Sequence, residues 1–189
     1  MVTDFELLQR WGAGDNRAGE EFYERHVSKV QRFFRNRVSH HAEDLVQATF
    51  LACLEARARF RGEAKLTTFL YAVARNKLLE HLRRRQSRGA VDPLEVSVID
   101  CGQSPASVLA QGEREQLVQA EMCRLPIDLQ IALELYYWEG ISAREIGEIT
   151  GVPEGTVRTR LRRAKLQLRE RVEALAGRGE ATLRRPRAT

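Results

Sequence analysis

Residues 140–170 read GISAREIGEITGVPEGTVRTRLRRAKLQLRE, and this stretch decides the fold of the C-terminal half of the chain. Ser142 can cap a first helix, and Glu145 lies three residues later, where it closes a capping box. Gly151 supplies a turn, and Pro153 suits the first position of a second helix, where no backbone N–H is needed. The pattern therefore predicts two short helices around a tight turn.

The second of these helices is apolar on one side and basic on the other. Val157, Leu161 and Leu168 are expected to point inward, with Ala164 between them. The side chains left outside are Arg158, Thr159, Arg162, Arg163 and Lys165. A helix–turn–helix whose second helix starts with small residues and then turns basic suits a DNA major groove. A solvated, arginine-rich surface helix is the alternative, but cap, turn and basic bias coincide and favour DNA contact.

The charge distribution points to two contacts with one polyanion. The chain has 189 residues, a formal net charge of +5 and a pI near 9.4. Residues 156–171 hold seven Lys or Arg against one Glu, and residues 83–85 are three consecutive arginines. Residues 86–112, between them, carry one basic residue and three acidic ones. Two basic zones separated by an acidic connector suggest two sites on a long nucleic acid.

Helical periodicity covers most of the chain and predicts an all-α protein of two small bundles joined by a flexible linker. Further helix starts are marked by a capping box of Thr3 with Glu6 and by Asp15. The predicted divisions are an N-terminal bundle at 1–85, a Gly/Pro/Ser-containing linker at 86–112, a C-terminal bundle at 113–176 and a basic, disordered tail at 177–189. With no apolar run long enough to span a membrane and no signal-peptide pattern, we expect a cytoplasmic protein.

The N-terminal half has polar and aromatic features of its own. Asp44 and Gln47 lie on one polar face of a predicted helix that starts near residue 42 and could meet a partner helix. Farther along, Phe60 with Arg61 and Phe69 with Asn76 place aromatic rings beside hydrogen-bond donors. Proteins that bind single-stranded nucleic acid use such combinations to stack on bases and to read their edges. The alternative is that these phenylalanines belong to an ordinary apolar core.

Two long segments resemble one protein family. EDLVQATFLACLEARARFRGEAKLTTFLYAVARNKLLEHLRRR, residues 43–85, resembles regions 2.2 to 2.4 of bacterial sigma factors of the extracytoplasmic-function (group 4, sigma-70 family) class. LPIDLQIALELYYWEGISAREIGEITGVPEGTVRTRLRRAKLQLRE, residues 125–170, resembles region 4 of the same class. The resemblance implies an alternative sigma factor that binds core RNA polymerase, recognises a two-part promoter and helps to open it, as stress-response regulators of this class do.

The resemblance also implies roles for particular residues. Docking on the β′ clamp helices of the polymerase would fall to Asp44 and Gln47. Capture of an unstacked base of the −10 element, with a grip on nearby phosphates, would involve Phe60, Arg61, Phe69, Asn76, Arg83, Arg84 and Arg85. Reading of the −35 element would involve Arg158, Thr159, Arg162 and Arg163. The implied partners are core polymerase through its β′ and β subunits, single- and double-stranded promoter DNA, and an anti-sigma factor.

The chain departs from the family pattern at Phe69, where members usually carry tryptophan. Phenylalanine can still stack on a base, but it lacks the indole N–H donor. The resemblance therefore does not imply which base this chain prefers at the −10 element.

No nucleophile–base constellation, phosphate-binding glycine loop or metal-spaced cluster stands out, so we expect no enzyme activity, no metal and no cofactor. Two rival functions use the same features. A dimeric helix–turn–helix regulator would account for residues 140–170 but not for the N-terminal aromatic and polar features. A helical protein that mimics the fold to antagonise a partner would need no DNA contact at all.

Overall fold

The computed structural model describes residues 2–57, 65–85 and 113–183, and the regular structure in these ranges is helical. The α-helices are α1 (Asp4–Gly12), α2 (Asn16–Val38), α3 (Ala42–Ala56), α4 (Leu66–Arg85), α5 (Glu113–Cys123), α6 (Ile127–Tyr137), α7 (Ala143–Thr150) and α8 (Glu154–Leu183). A 3₁₀ turn, Ser39–His41, joins α2 to α3. An all-α fold is confirmed for the described part of the chain.

The predicted helix starts form as the sequence indicates. The Thr3 hydroxyl accepts the Glu6 backbone N–H, while the Glu6 carboxylate accepts the Thr3 backbone N–H at 2.7 Å. Ser142 and Glu145 repeat this capping box at α7, where the Ser142 backbone N–H donates to the Glu145 carboxylate at 3.0 Å. Asp15 caps α2 by accepting the Ala18 backbone N–H at 3.2 Å. Each cap satisfies backbone donors that would otherwise lack a partner in the first turn.

The N-terminal half, α1 to α4, packs around aromatic side chains of α2. Phe22, Phe33 and Phe34 are buried at helical spacing, as the periodicity predicts. The Phe22 ring meets the Phe50 ring of α3 edge-on at 5.9 Å, and the Phe33 ring lies 5.8 Å from the Tyr71 ring of α4. One long helix therefore organises the three helices around it.

The C-terminal half packs α8 against the other three helices, α5 to α7. Val157 and Ala164 of α8 are fully buried, whereas Leu161 is half-buried. The turn between α5 and α6 is held by the buried Gln130 amide, which donates to the carbonyls of Cys123 and Leu125 at 2.9 and 2.8 Å. These contacts fix where the outer face of α8 points.

The two halves also pack against each other. One cluster of buried apolar side chains runs from Leu7 in α1 through Leu70 in α4 to Ile131, Ile146 and Val157 in the C-terminal half. Helix α4 lies against α7 across this boundary. The sequence predicts two bundles but does not predict this direct contact, because its partners are far apart along the chain.

Three boundaries differ from the sequence-based expectation. Helix α3 ends at Ala56, whereas the helical pattern of the sequence predicts an end near residue 59; the Arg57 guanidinium donates to the carbonyls of Leu54 and Gly12 at 2.8 and 3.2 Å. Pro153 lies immediately before α8 rather than at its first position. Helix α8 continues to Leu183, beyond the predicted end at residue 176, since the two glycines there are followed by helix-forming residues. Residues 86–112, the predicted linker, and 184–189 of the predicted tail lie outside the described residues.

Candidate nucleic-acid and protein interfaces

A tight turn sets the angle between α7 and α8. Gly151 adopts the left-handed conformation, with φ of 70°, and its backbone N–H donates to the Gly147 carbonyl. Val152 donates to the same carbonyl at 3.1 Å. A Cβ on Gly147 would lie 2.7 Å from the Val152 carbonyl oxygen, so a side chain there would push the turn apart. Glycine is thus required at 147 by close approach and favoured at 151 by the backbone dihedral.

Helix α8 is anchored on its inner side by packing and by one ion pair. Val157 and Ala164 are fully buried, and the Arg160 guanidinium lies 3.0 Å from the Asp128 carboxylate of α6. Both side chains of this pair are 20% exposed. Arg160 therefore holds α8 in place, and its guanidinium is less accessible to a ligand than the exposed arginines of the same helix.

The opposite side of α8 carries the residues predicted to read DNA, and all four are exposed: Arg158, Thr159, Arg162 and Arg163. Arg158 pairs with Glu154 one turn earlier at 2.6 Å, with the two side chains 73% and 41% exposed. Such exposed pairs contribute little and are screened by salt, so the guanidinium can exchange its partner. The face offers planar donors of the kind that bind guanine edges in bidentate fashion.

A second exposed face lies on α3. Asp44 and Gln47 are both solvent-exposed, as predicted for a docking surface. Leu51, which the sequence analysis did not single out, follows Gln47 by one turn on the same face and is 57% exposed. Glu55 continues the face one turn later. An apolar side chain inside a charged rim is a common composition for a protein-binding surface.

The spacing of Asp44, Gln47 and Leu51 would have revealed this leucine. Positions three and seven residues beyond Asp44 share its side of a helix. A large apolar residue there, opposite the buried Phe50 and Cys53, is the available signal.

Helix α4 brings together part of the predicted base-capture site. Phe69, Asn76 and Arg83 are seven residues apart, so they follow one line along α4, with about 10.5 Å between successive positions. Phe69 is half-buried against the apolar cluster, while Asn76 and Arg83 are exposed. A ring, an amide and a guanidinium thus occur in sequence along one helix face.

The structure describes only some of the remaining residues of the predicted base-capture site. Arg84 is exposed and pairs with Glu80 at 2.5 Å. Arg85 ends α4, but its side chain lies outside the described residues, as do Phe60 and Arg61 entirely. The base-capture role stays a prediction for these residues, as it does for the residues that the structure places on α4.

An aromatic patch at the end of α6 was not anticipated from the sequence. Tyr136, Tyr137 and Trp138 are 42%, 55% and 52% exposed, and the two tyrosine rings meet edge-on at 5.1 Å. Tyr136 also lines an open groove of about 660 Å³ that reaches Arg144 and Arg158. Three consecutive residues of a helix point in different directions, so three aromatic side chains in a row cannot all face the protein core. This run in the sequence therefore predicts that at least one aromatic ring is exposed.

The described residues also bear on metal binding and membrane insertion. Within residues 2–57, 65–85 and 113–183, no group of three or more His, Cys, Asp or Glu side chains is arranged to hold a metal ion. Helices long and apolar enough to cross a bilayer are likewise absent from the described part of the chain.

Comparison with known proteins assigns a family to both halves. The model of sigma-70 region 2 matches residues 22–88, and the model of sigma-70 region 4 matches residues 115–168. The ECF RNA polymerase sigma-E factors of Salmonella typhimurium and Escherichia coli are each 31% identical over 185 residues, covering 93% of this chain and 97% of theirs. The sigma-E factor of Haemophilus influenzae is 29% identical, covering 93% of this chain and 98% of its own.

Solved structures share the fold. CnrH in complex with the cytosolic domain of CnrY aligns with a TM-score of 0.67 and 21% identity, over 90% of this chain and 97% of CnrH. The sigma factor RpoE of Bartonella quintana, in complex with the anti-sigma factor NepR, aligns with a TM-score of 0.60 and 20% identity, over 82% of this chain and 98% of RpoE.

Proposed function

The chain belongs to the extracytoplasmic-function group of the sigma-70 family, and we propose that it recognises promoters through α4 and α8 and binds core polymerase through α3 and the aromatic patch at the end of α6. It is an alternative sigma factor, a transcription initiation factor that works with core RNA polymerase in the cytoplasm. The polymerase supplies the catalytic site, and this chain supplies DNA recognition and opening. This proposal is supported mainly by α8, which has exposed arginines on its outer side and is anchored to α6 on its inner side.

Helix α8 reads the −35 element in the major groove. The anchor through Val157 and Arg160 fixes the helix, so Arg158 and Arg162 meet base edges without first becoming ordered. Each bidentate arginine–guanine pair supplies about 1–3 kcal/mol of discrimination between bases.

Helix α4 holds the melted strand of the −10 element. A base pulled from the duplex stacks on Phe69, while Asn76 reads its edge and Arg83 contacts the backbone phosphates. Unstacking a base costs a few kcal/mol, and stacking on an aromatic side chain returns about 1–3 kcal/mol per base. The region 2 domain proposed for this work spans residues 1–85, and the region 4 domain spans 113–176.

The α3 face docks on the β′ subunit. Asp44 and Gln47 supply polar contacts around Leu51, which fills an apolar depression on the clamp helices. The aromatic patch, Tyr136 to Trp138, is a contact for the β subunit. Interface energy concentrates in such apolar and aromatic centres more than in the rim.

An anti-sigma factor controls the protein. The solved complex of RpoE with NepR is of another chain with the same fold, and we carry only the kind of partner over from it. The exposed apolar and aromatic centres on α3 and α6 are surfaces that such a protein would cover.

Charge reversal at one site separates this function from a stand-alone regulator. Asp44→Arg in the full chain should abolish binding to core polymerase while leaving binding to duplex DNA unchanged, because Asp44 lies on α3 and not on α8. Glu20→Arg, an exposed reversal on α2, is the matched control and should bind both. Polymerase binding can be followed by native gel shift. Normal transcription by the Asp44→Arg protein would show that the docking assignment is wrong.

A second variant separates the sigma function from a mimic that never touches DNA. Arg158→Ala with Arg162→Ala should retain polymerase binding and lose promoter-directed transcription. If transcription from the promoter persists unchanged, α8 does not read the −35 element.

A further inference from the structure

An acidic residue, Glu154, is the first residue of α8. In a helix–turn–helix, the residues at the N-terminal end of the second helix contact base edges in the major groove. Arg158 follows Glu154 by four residues, so the two side chains lie on the same side of the helix. A carboxylate in this position is repelled by the phosphates of DNA, and its presence therefore calls for a physical reason.

Arg158 binds one oxygen of the Glu154 carboxylate through one edge of its guanidinium. Nε and Nη2 of Arg158 both donate to Oε1 of Glu154, at 3.0 and 2.6 Å. Within the described part of the chain, Oε2 of Glu154 and Nη1 of Arg158 form no hydrogen bond. A guanidinium carries donors on more than one edge, and a carboxylate accepts at both oxygens. The intact pair therefore still offers donors and an acceptor side by side.

The surroundings of this pair are open and basic. Glu154 and Arg158 both line the open groove of about 660 Å³ that reaches Arg144 of α7, whose side chain is 81% exposed. Arg162 and Arg163, farther along α8, form no ion pair with any described residue. Among the residues predicted to read the −35 element, Arg158 is thus the one with a carboxylate partner in the described ranges. The nearby cations offset the repulsion between Glu154 and the phosphates.

A G·C base pair presents a pattern that matches the Glu154–Arg158 pair. In the major groove, guanine offers the acceptors N7 and O6, and cytosine offers the N4 amino donor beside them. Arg158 can donate to both guanine acceptors while Oε2 of Glu154 accepts from the cytosine amino group. An A·T base pair instead places an amino donor against the guanidinium and the O4 acceptor against the carboxylate. The pair therefore favours G·C in one orientation.

We propose that Glu154 is a specificity-determining residue for the −35 element and that it acts with Arg158 to select one G·C base pair. This inference rests on the proposed function, because it concerns how α8 reads promoter DNA. Arg158 supplies the donors to guanine, and Glu154 supplies the acceptor for cytosine. A sequence without this base pair is disfavoured twice, by a missing hydrogen bond and by repulsion between the carboxylate and a base acceptor.

A promoter library tests this assignment in the holoenzyme. The library takes a promoter that the wild-type protein uses on a fragmented genome, randomises its −35 element and identifies each sequence by a barcode in the transcript. The full chain is combined with sigma-free core RNA polymerase. The wild-type protein should favour G·C at one position, and Glu154→Gln should reduce that preference about fivefold, because one hydrogen bond to cytosine loses its charged acceptor and an amide also tolerates base acceptors. Preferences at the other positions should not change.

Three further variants show whether the effect belongs to the pair. Arg158→Ala should lose the preference at the same base pair, and addition of Glu154→Gln to it should cause no further loss there, since the two side chains read that base pair together. Glu173→Gln is the matched control, because it removes an exposed carboxylate that pairs with Arg169 of α8 at 2.7 Å. This control should keep every wild-type preference. Thermal denaturation of all variants should confirm that the fold is intact.

Several results would overturn the assignment. These are equal preferences in Glu154→Gln and Glu173→Gln, a change at a base pair other than G·C, and changes at different base pairs in Glu154→Gln and Arg158→Ala. A uniform rise in the use of every −35 sequence by Glu154→Gln would also overturn it, because the carboxylate would then only weaken attraction to phosphates. A wild-type protein that produces no transcripts, or that transcribes without any −35 preference, contradicts the proposed function, and this inference falls with it. A wild-type preference that Glu154→Gln leaves unchanged overturns this inference alone.

Discussion

Glu145 takes part in two contacts that lower the pKa of its carboxyl to about 2, from an ordinary value of 4.5. The main cause is hydrogen bonding by Ser142, and Lys65 adds a further contact. Because the folded-state pKa is depressed, the stabilisation is fully present above about pH 4.5 and is lost as the pH falls toward 2.

Glu145→Gln should therefore reduce the dependence of unfolding free energy on pH between about 4.5 and 2. Urea denaturation followed by circular dichroism at several pH values measures this slope. Glu148→Gln, one turn farther along α7, is the control and should keep the wild-type slope. An unchanged slope in Glu145→Gln would show that the carboxylate is not held by these partners.

Substitutions of Phe69 test whether its ring stacks on an unpaired base. Phe69→Ala should weaken promoter opening by about 1–3 kcal/mol, because the stacking surface is lost. Phe69→Trp should retain opening and change the preferred base, since it adds an N–H donor. Fluorescence of 2-aminopurine placed through the −10 element follows the opening, and Phe5→Ala, which removes a 38% exposed ring on α1, is the control. Equal opening by Phe69→Ala and Phe5→Ala would exclude stacking on Phe69.

The arginines of α8 are expected to have two different roles, because they point in different directions. Arg160 faces α6 and anchors the helix, whereas Arg162 faces outward and is proposed to contact DNA bases. Arg160→Ala should lower the melting temperature and spare base preference, because this arginine bonds to Asp128. Arg162→Ala should leave the melting temperature unchanged and cost about 1–3 kcal/mol of affinity for the cognate −35 duplex. Thermal denaturation and fluorescence anisotropy measure the two effects. A reading defect in Arg160→Ala without loss of stability would contradict the division.

The proposed docking role of the α3 face can be tested at Leu51. Leu51→Asp should weaken binding to core polymerase by about 2 kcal/mol or more, since it places a charge at the apolar centre of the interface. Leu166→Asp on α8, where the leucine is 56% exposed, is the matched control and should bind normally. Both variants should fold as wild type because both leucines are exposed. Loss of polymerase binding in both would indicate a general effect of the added charge.

The helices and their starts are the parts of this fold that the sequence predicts well. A capping box such as Ser142 with Glu145 and a turn glycine such as Gly151 act within a few residues, so the local sequence contains the whole signal. Helix ends are less predictable, as α8 shows by continuing to Leu183 through two glycines, beyond the predicted end at residue 176. The exposed position of Leu51 is predictable from helical spacing, because Leu51 shares the side of α3 that carries Asp44 and Gln47.

At the scale of the whole molecule, the association of the two halves could not be predicted from the sequence. Arg37 and Glu134 look like ordinary surface charges in their own helices, and only the tertiary fold buries them together. The family resemblance identifies both halves but says nothing about how these particular charges pair. The sequence therefore predicts the exposed basic side of α8, while the packing of the two halves against each other comes from the structure.

We propose that this chain directs core polymerase to a two-part promoter. The most direct test adds the purified protein to sigma-free core RNA polymerase, transcribes a fragmented genome and sequences the RNA 5′ ends. Our account predicts new starts that share two motifs at a fixed spacing and that disappear with the Asp44→Arg protein. If no new starts arise although the protein binds DNA, the chain is a stand-alone regulator and the account is wrong.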